Sequence, residues 1–209
     1  MTAIQVAGRI VESPLAVVSD YAKRYARTVR EYDLAQADCP PNHACMQEVK
    51  RTRVIASRIS NEQGTAMLRV LADAPWSRVP ESAHLDQADP EIQGALYDHM
   101  LDLYLPLLDI PGVSHAKASK LLHLKRPDLF PILDSKLMAF YRRPAAEAAK
   151  RHAQLGHRRL YWAACREDVI ANREPLDGLR TELEDQEGLL KKMAALSDIR
   201  LLDILAWKV

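Results

Sequence analysis

Residues 107–124 read LLDIPGVSHAKASKLLHL. An apolar run ends in Ile110-Pro111-Gly112-Val113-Ser114, and a second helical pattern follows with Ala118, Leu121 and Leu122. Pro111 lacks an N–H and stops the first helix. Gly112 permits the positive φ that a tight reversal needs. Val113 plugs the gap between the helices, and Ala118 is small enough for them to approach closely. The spacing predicts two helices joined by a short hairpin at about 104–124, the second starting near Ser114 or His115. The unsatisfied N–H groups and positive dipole end at that start form an anion site, suited to a DNA phosphate.

From 107 to 137 the chain resembles the helix-hairpin-helix segment of the DNA glycosylase superfamily. The usual hairpin there is Leu-Pro-Gly-Val-Gly, followed by a helix with Ala four positions later. Pro111, Gly112 and Val113 keep the pattern, and Ser114 replaces the second glycine. Ser114 is suited to cap the helix or to donate a hydroxyl hydrogen bond. The resemblance implies a phosphate site at Gly112, Val113, Ser114 and His115. Lys117, Lys120, Lys125 and Arg126 would add salt-dependent attraction.

The resemblance continues through KRPDLFPILDSKL, residues 125–137. Those enzymes carry a catalytic Asp at the start of the next helix, after an apolar extended loop, and Asp134 occupies that place without a gap. The nucleophilic Lys of the bifunctional members falls on Ala116, with Lys117 one position off and Lys120 a further turn on. The implied chemistry is therefore monofunctional, with Asp134 stabilising a cationic sugar or activating water. Read from the residues alone, Asp134-Ser135 after an apolar loop is a helix N-cap. Val54 to Gln63 (VIASRISNEQ) is faintly similar to the segment that fills the gap left by a flipped base, with Ser57 and Arg58 at the corresponding positions. The runs KRPDLFPILDS and LSDIRLLDILAW (196–207) also resemble an uncharacterised bacterial family known only as a domain of unknown function.

Outward from this segment the chain reads as helices. Ile4 to Val11 is β-branched around Gly8 and predicts a short strand or hairpin. Ser13-Pro14 opens a helix to about Leu34. Further helices are expected over 45–57, from the Ser60/Gln63 capping box to Asp73, and from Asp89-Pro90 to Pro106. Residues 75–89 read as a loop. Pro144 opens a helix broken near Gly156 and resumed over 158–171. Pro175 starts another, and Ser197 caps the last. The expectation is one all-α domain over 1–209, of about nine helices with a possible N-terminal β-hairpin.

The chain has 209 residues and a net charge of +1. The charge is uneven: residues 110–166 hold twelve Lys or Arg against Asp128, Asp134 and Glu147. A basic middle points to a polyanion partner such as double-stranded DNA, or to solvated helix faces. Three cysteines without a CxxC pair suggest free thiols in a reducing cytoplasm. Zinc at Cys39, His43 and Cys45 is set aside for want of a fourth ligand. No run is apolar enough for a membrane span, and no metal or cofactor is implied. Two readings remain: a nucleic-acid-binding, glycosylase-like protein, or a helical interaction scaffold that kept the fold without the chemistry.

Overall fold

A computed structural model describes residues 3–152 and 160–207. The fold is mainly helical, with one small antiparallel sheet. Strands β1 (Ile4–Val6) and β2 (Arg9–Val11) pair with Val6 opposite Arg9. Ala7 and Gly8 both take positive φ, at 50° and 79°, the two-residue turn whose twist matches the strands. The sheet docks on a helix end through Asn172, whose Oδ1 accepts from Gln5 N at 2.9 Å while its Nδ2 donates to Gln5 O at 2.7 Å. The Asn172 side chain thus serves as a strand partner.

Helices α1 (Pro14–Arg24) and α2 (Ala26–Thr28) divide the expected first helix at Tyr25, and a wide turn over Val29–Asp33 ends it. After the loop come α3 (Met46–Arg51) and α4 (Asn61–Ala72). The Ser60 capping box is reciprocal: Gln63 N donates to Ser60 Oγ at 3.1 Å, and Ser60 N donates to Gln63 Oε1 at 3.3 Å. The next helix starts six residues later than its Pro90 signal, as α5 (Leu96–Leu108), because residues 90–95 form turns and Gly94 takes φ 73°. Pro106 lies inside α5 without ending it.

The hairpin leads into α6 (His115–Lys125). Then follow α7 (Ser135–Phe140), α8 (Arg142–Arg151), α9 (Tyr161–Ala171), α10 (Arg173–Glu184), α11 (Gly188–Met193) and α12 (Asp198–Ala206). The expected break at Gly156 and restart at Arg158 fall outside the described residues. The short α11 has no strong sequence signal of its own. Twelve α-helices are thus described where about nine were expected, the difference lying mainly in short pieces.

One continuous apolar core joins residues from Ile4 to Ala206, with Trp162 fully buried. Tyr97, Tyr104 and Phe130 meet the Trp162 ring edge-on, with centroids 4.9 to 5.7 Å away. This aromatic cluster ties α5, the segment 126–134 that follows α6, and α9 together.

Candidate functional site

The reversal at Gly112 is present, with φ 76°. Val113 N donates to Ile110 O at 3.0 Å, Val113 is buried, and Ala118 is fully buried under the hairpin. Ser114 is the extended N-cap residue of α6, and its hydroxyl caps no first-turn amide. The hairpin is braced from outside by the α4 capping residue. Gln63 Nε2 donates to Pro111 O at 3.3 Å, and a Cβ at Gly112 would lie 2.4 Å from that nitrogen. Lys117 Nζ donates to Gly112 O and to Gln63 Oε1, both at 2.8 Å. His115 Nδ1 lies 3.1 Å from the Tyr104 hydroxyl, so this ring is aimed at α5.

The other cations expected at the phosphate site turn inward. Lys125 Nζ donates to Glu48 Oε1 at 2.8 Å and to the carbonyls of Pro40 and Cys39 at 2.9 and 3.4 Å. Arg126 donates to the carbonyls of Val79, Pro41 and Lys125, and to Asn42 Oδ1 at 2.6 Å, with its guanidinium over the Trp76 ring. Both are buried, which corrects the expectation that they face a polyanion. Lys150, Arg151 and Arg166 pair with Glu147, Glu167 and Asp89. The basic segment is therefore not one surface; Arg158 and Arg159 lie outside the described residues.

Lys120 enters a cavity instead. Five residues after His115, it faces a space of about 160 Å³ together with Asp134. Tyr21 and Tyr25 of α1 and its end, Thr28, Val54 to Ala56, Ile132, and Arg200, Asp203 and Trp207 from α12 and its end complete the wall. Ala56 holds a left-handed conformation at φ 60° there, a backbone state that costs about 1 kcal/mol or more outside glycine. Tyr25 meets Tyr21 at 5.0 Å and Trp207 edge-on at 6.0 Å, and Lys136 Nζ sits 4.0 Å over the Trp207 ring.

Asp134 does cap α7: its Oδ1 accepts from Lys136 N and Leu137 N, each at 3.0 Å. It is half-buried and lines the cavity as well, so capping and cavity position coexist. Lys120 Nζ donates to Ile55 O at 2.7 Å. Burial pulls its pKa down from the usual lysine value, partly offset by Asp134 and Asp203.

The floor is an ion-pair network. Arg200 Nε bonds Asp33 Oδ1 at 2.9 Å, its Nη1 pairs with Asp203, and its Nη2 donates to the Tyr21 hydroxyl at 2.8 Å. Burial, opposed by Arg200, raises Asp203 to about 6. The sequence marks Asp198, Arg200 and Asp203 as a helical ion-pair group, but only Asp203 pairs with Arg200, and Asp198 pairs with Arg180. The other Arg200 partner, Asp33, 167 positions away, carries no local signal.

A further correction concerns the cysteines. Cys39 and Cys45 form a disulfide with Cα atoms 6.3 Å apart, and only Cys165 is a free, buried thiol among the described residues. The turn through Pro40 and Pro41 brings the two sulfurs together. Their ligand atoms lie within 4.8 Å of Glu48, but the sulfurs are bonded to each other and Glu48 holds Lys125. No helix among the described residues is long and apolar enough to cross a membrane.

The model of a family of unknown function, DUF6308, matches residues 46–209. No curated protein matches the chain. No solved structure matches it either.

Proposed function

The chain belongs to the DUF6308 family, and from that premise, which names no activity, we propose a nucleic-acid-binding protein that receives one extruded nucleotide in the Asp134 cavity. The observation that carries this reading is the geometry of α6. One helix begins at the hairpin and delivers Lys120 to the cavity, about 9 Å along its axis from Ser114. A phosphate held at the hairpin amides and by Lys117 would put the neighbouring nucleotide at the cavity mouth. Tyr21, Tyr25 and Trp207 give that base aromatic surface, and Lys136 stands beside them.

In the catalytic form of this reading the base leaves with the electrons of its bond to the sugar. The second oxygen of Asp134, not used in capping, faces the cationic C1′, and water adds there, its released proton ending on the departed base anion. One observation favours a variant of the step: the buried Lys120 amine shares the cavity with Asp134. That amine, instead of water, would take C1′. The residue thus differs from the position that the sequence register points to, Ala116.

The test is a binding and base-release screen over duplexes carrying damaged or mismatched bases. Wild type should bind and release, Asp134→Asn should bind without release, and borohydride should trap a covalent adduct only if Lys120 attacks. With Lys117 at the hairpin and Lys136 beside the cavity as the phosphate contacts, log K against log salt should fall with a slope of about −2. No binding and no release would leave a helical scaffold, the second reading.

A further inference from the structure

We propose that Cys39 and Cys45 are a reversible thiol–disulfide site whose state sets how firmly the loop 39–45 grips the C-terminal end of α6. The inference is independent of the functional reading above.

The loop is a cage of oxygen acceptors. Cys39 O, Pro40 O, Pro41 O and Asn42 Oδ1 all receive hydrogen bonds from Lys125 or Arg126. These two cations end α6 and are buried. A buried cation needs its acceptors in fixed positions, since an unpaired charge in the interior is costly. What fixes them is the ring closed by the disulfide, together with the His43 N to Pro40 O turn at 3.0 Å. Glu48 joins both parts: its Oε2 accepts from Cys45 N at 3.4 Å and its Oε1 from Lys125 Nζ at 2.8 Å. Both cysteines are half-exposed, so a reductant can reach them, whereas Cys165 is buried.

The reductant is a small or protein dithiol. One of its thiolates attacks a sulfur of the pair and displaces the other as thiolate. The second dithiol sulfur then closes on the first, releasing the remaining thiolate. Two electrons and two protons pass to Cys39 and Cys45, and the dithiol leaves as a disulfide. Opening the ring returns conformational freedom to the loop. Lys125 keeps Glu48, and Arg126 keeps the carbonyls of Val79 and Lys125, so α6 loosens at one end without losing every partner.

The experiment is hydrogen exchange on the full chain, oxidised and after treatment with dithiothreitol, read in peptides covering 39–45 and 121–126. Reduction should speed exchange in both by about tenfold or more, leaving α9 and α10 unchanged. Cys39→Ser/Cys45→Ser should match the reduced protein under either condition. Thiol titration should find two reactive thiols after reduction, and oxidised glutathione should restore the slow exchange. Equal exchange at 121–126 in the two states would overturn the proposal. So would a rise spread over the whole chain, which would make the bond a plain structural staple, or failure to re-form the bond.

Discussion

The two ends of α6 carry the same kind of residue and put it to opposite uses. At the N-terminal end Lys117 lies half-exposed, folded over the hairpin carbonyl of Gly112. At the C-terminal end the Lys125 side chain is 1% exposed and locked onto Glu48. Eight positions separate a lysine available to a solvent anion from one that is part of the interior. Charge counted along a sequence therefore says little about charge on a surface: of the four cations expected around the hairpin, three are buried.

The contrast is broken most severely at the buried end. Glu48→Ala leaves Lys125 without its counter-charge and should destabilise the protein by about 3 to 5 kcal/mol. Chemical unfolding of the variant against wild type checks this, and a loss below about 1 kcal/mol would mean that the loop carbonyls alone satisfy the lysine.

His123, two positions before Lys125, supplies a pH test of the same end. Burial and Arg200 push its pKa down to about 4, against the Phe130 carbonyl that accepts from it at 2.8 Å. The folded protein thus holds the neutral ring. Its contribution is full above about pH 6.5 and is lost as pH falls towards 4, by up to about 3 kcal/mol. Asp203, raised to about 6, works the other way: its contribution is greatest at low pH and fades as pH rises through 6. Between pH 7 and 4 the two trends largely offset each other in wild type, so the readout is the gap in unfolding free energy between wild type and His123→Gln. That gap should change by up to about 3 kcal/mol in favour of the variant as pH falls, the variant keeping the Asp203 trend alone.

The exposed end should answer more weakly. Gly112→Ala forces a side chain into positive φ and against Gln63, at a cost of about 1 to 2 kcal/mol. Lys117→Ala should change stability by less than about 0.5 kcal/mol. It should also lower the salt slope of polyanion binding by about 1. A larger stability loss would show that the Lys117 bridge to Gln63 is structural and not an anion contact.

Which parts of this were legible in the sequence follows from range. The hairpin, the Ser60/Gln63 box, the Asp134 cap and the Ser197 cap depend on residues a few positions apart, and each is where its local pattern puts it. The cavity was legible in fragments: Asp134, Lys120, the tyrosines and the α12 charges are each conspicuous, but only packing brings them to one space. The burial of Lys125 and Arg126 was not legible, because most of their acceptors, on Glu48, Val79 and the loop 39–42, lie 47 to 86 positions away. The disulfide was missed because three cysteines without a familiar spacing look like free thiols, and loop geometry, not spacing, decides the bond.

The N-terminal 45 residues precede the stretch that the family model covers, yet the matched stretch does not stand alone physically. Tyr21 and Tyr25 form part of the cavity wall, Asp33 pairs with Arg200, and the loop acceptors of Lys125 and Arg126, from Cys39 O to Asn42 Oδ1, lie before residue 46. A polypeptide begun at Met46 would leave Arg200 with Asp203 as its one remaining carboxylate partner among the described residues, and an open groove where this protein has a closed floor. Relatives trimmed to the matched boundary should therefore be insoluble when expressed, and addition of a peptide spanning residues 3–45 should rescue them.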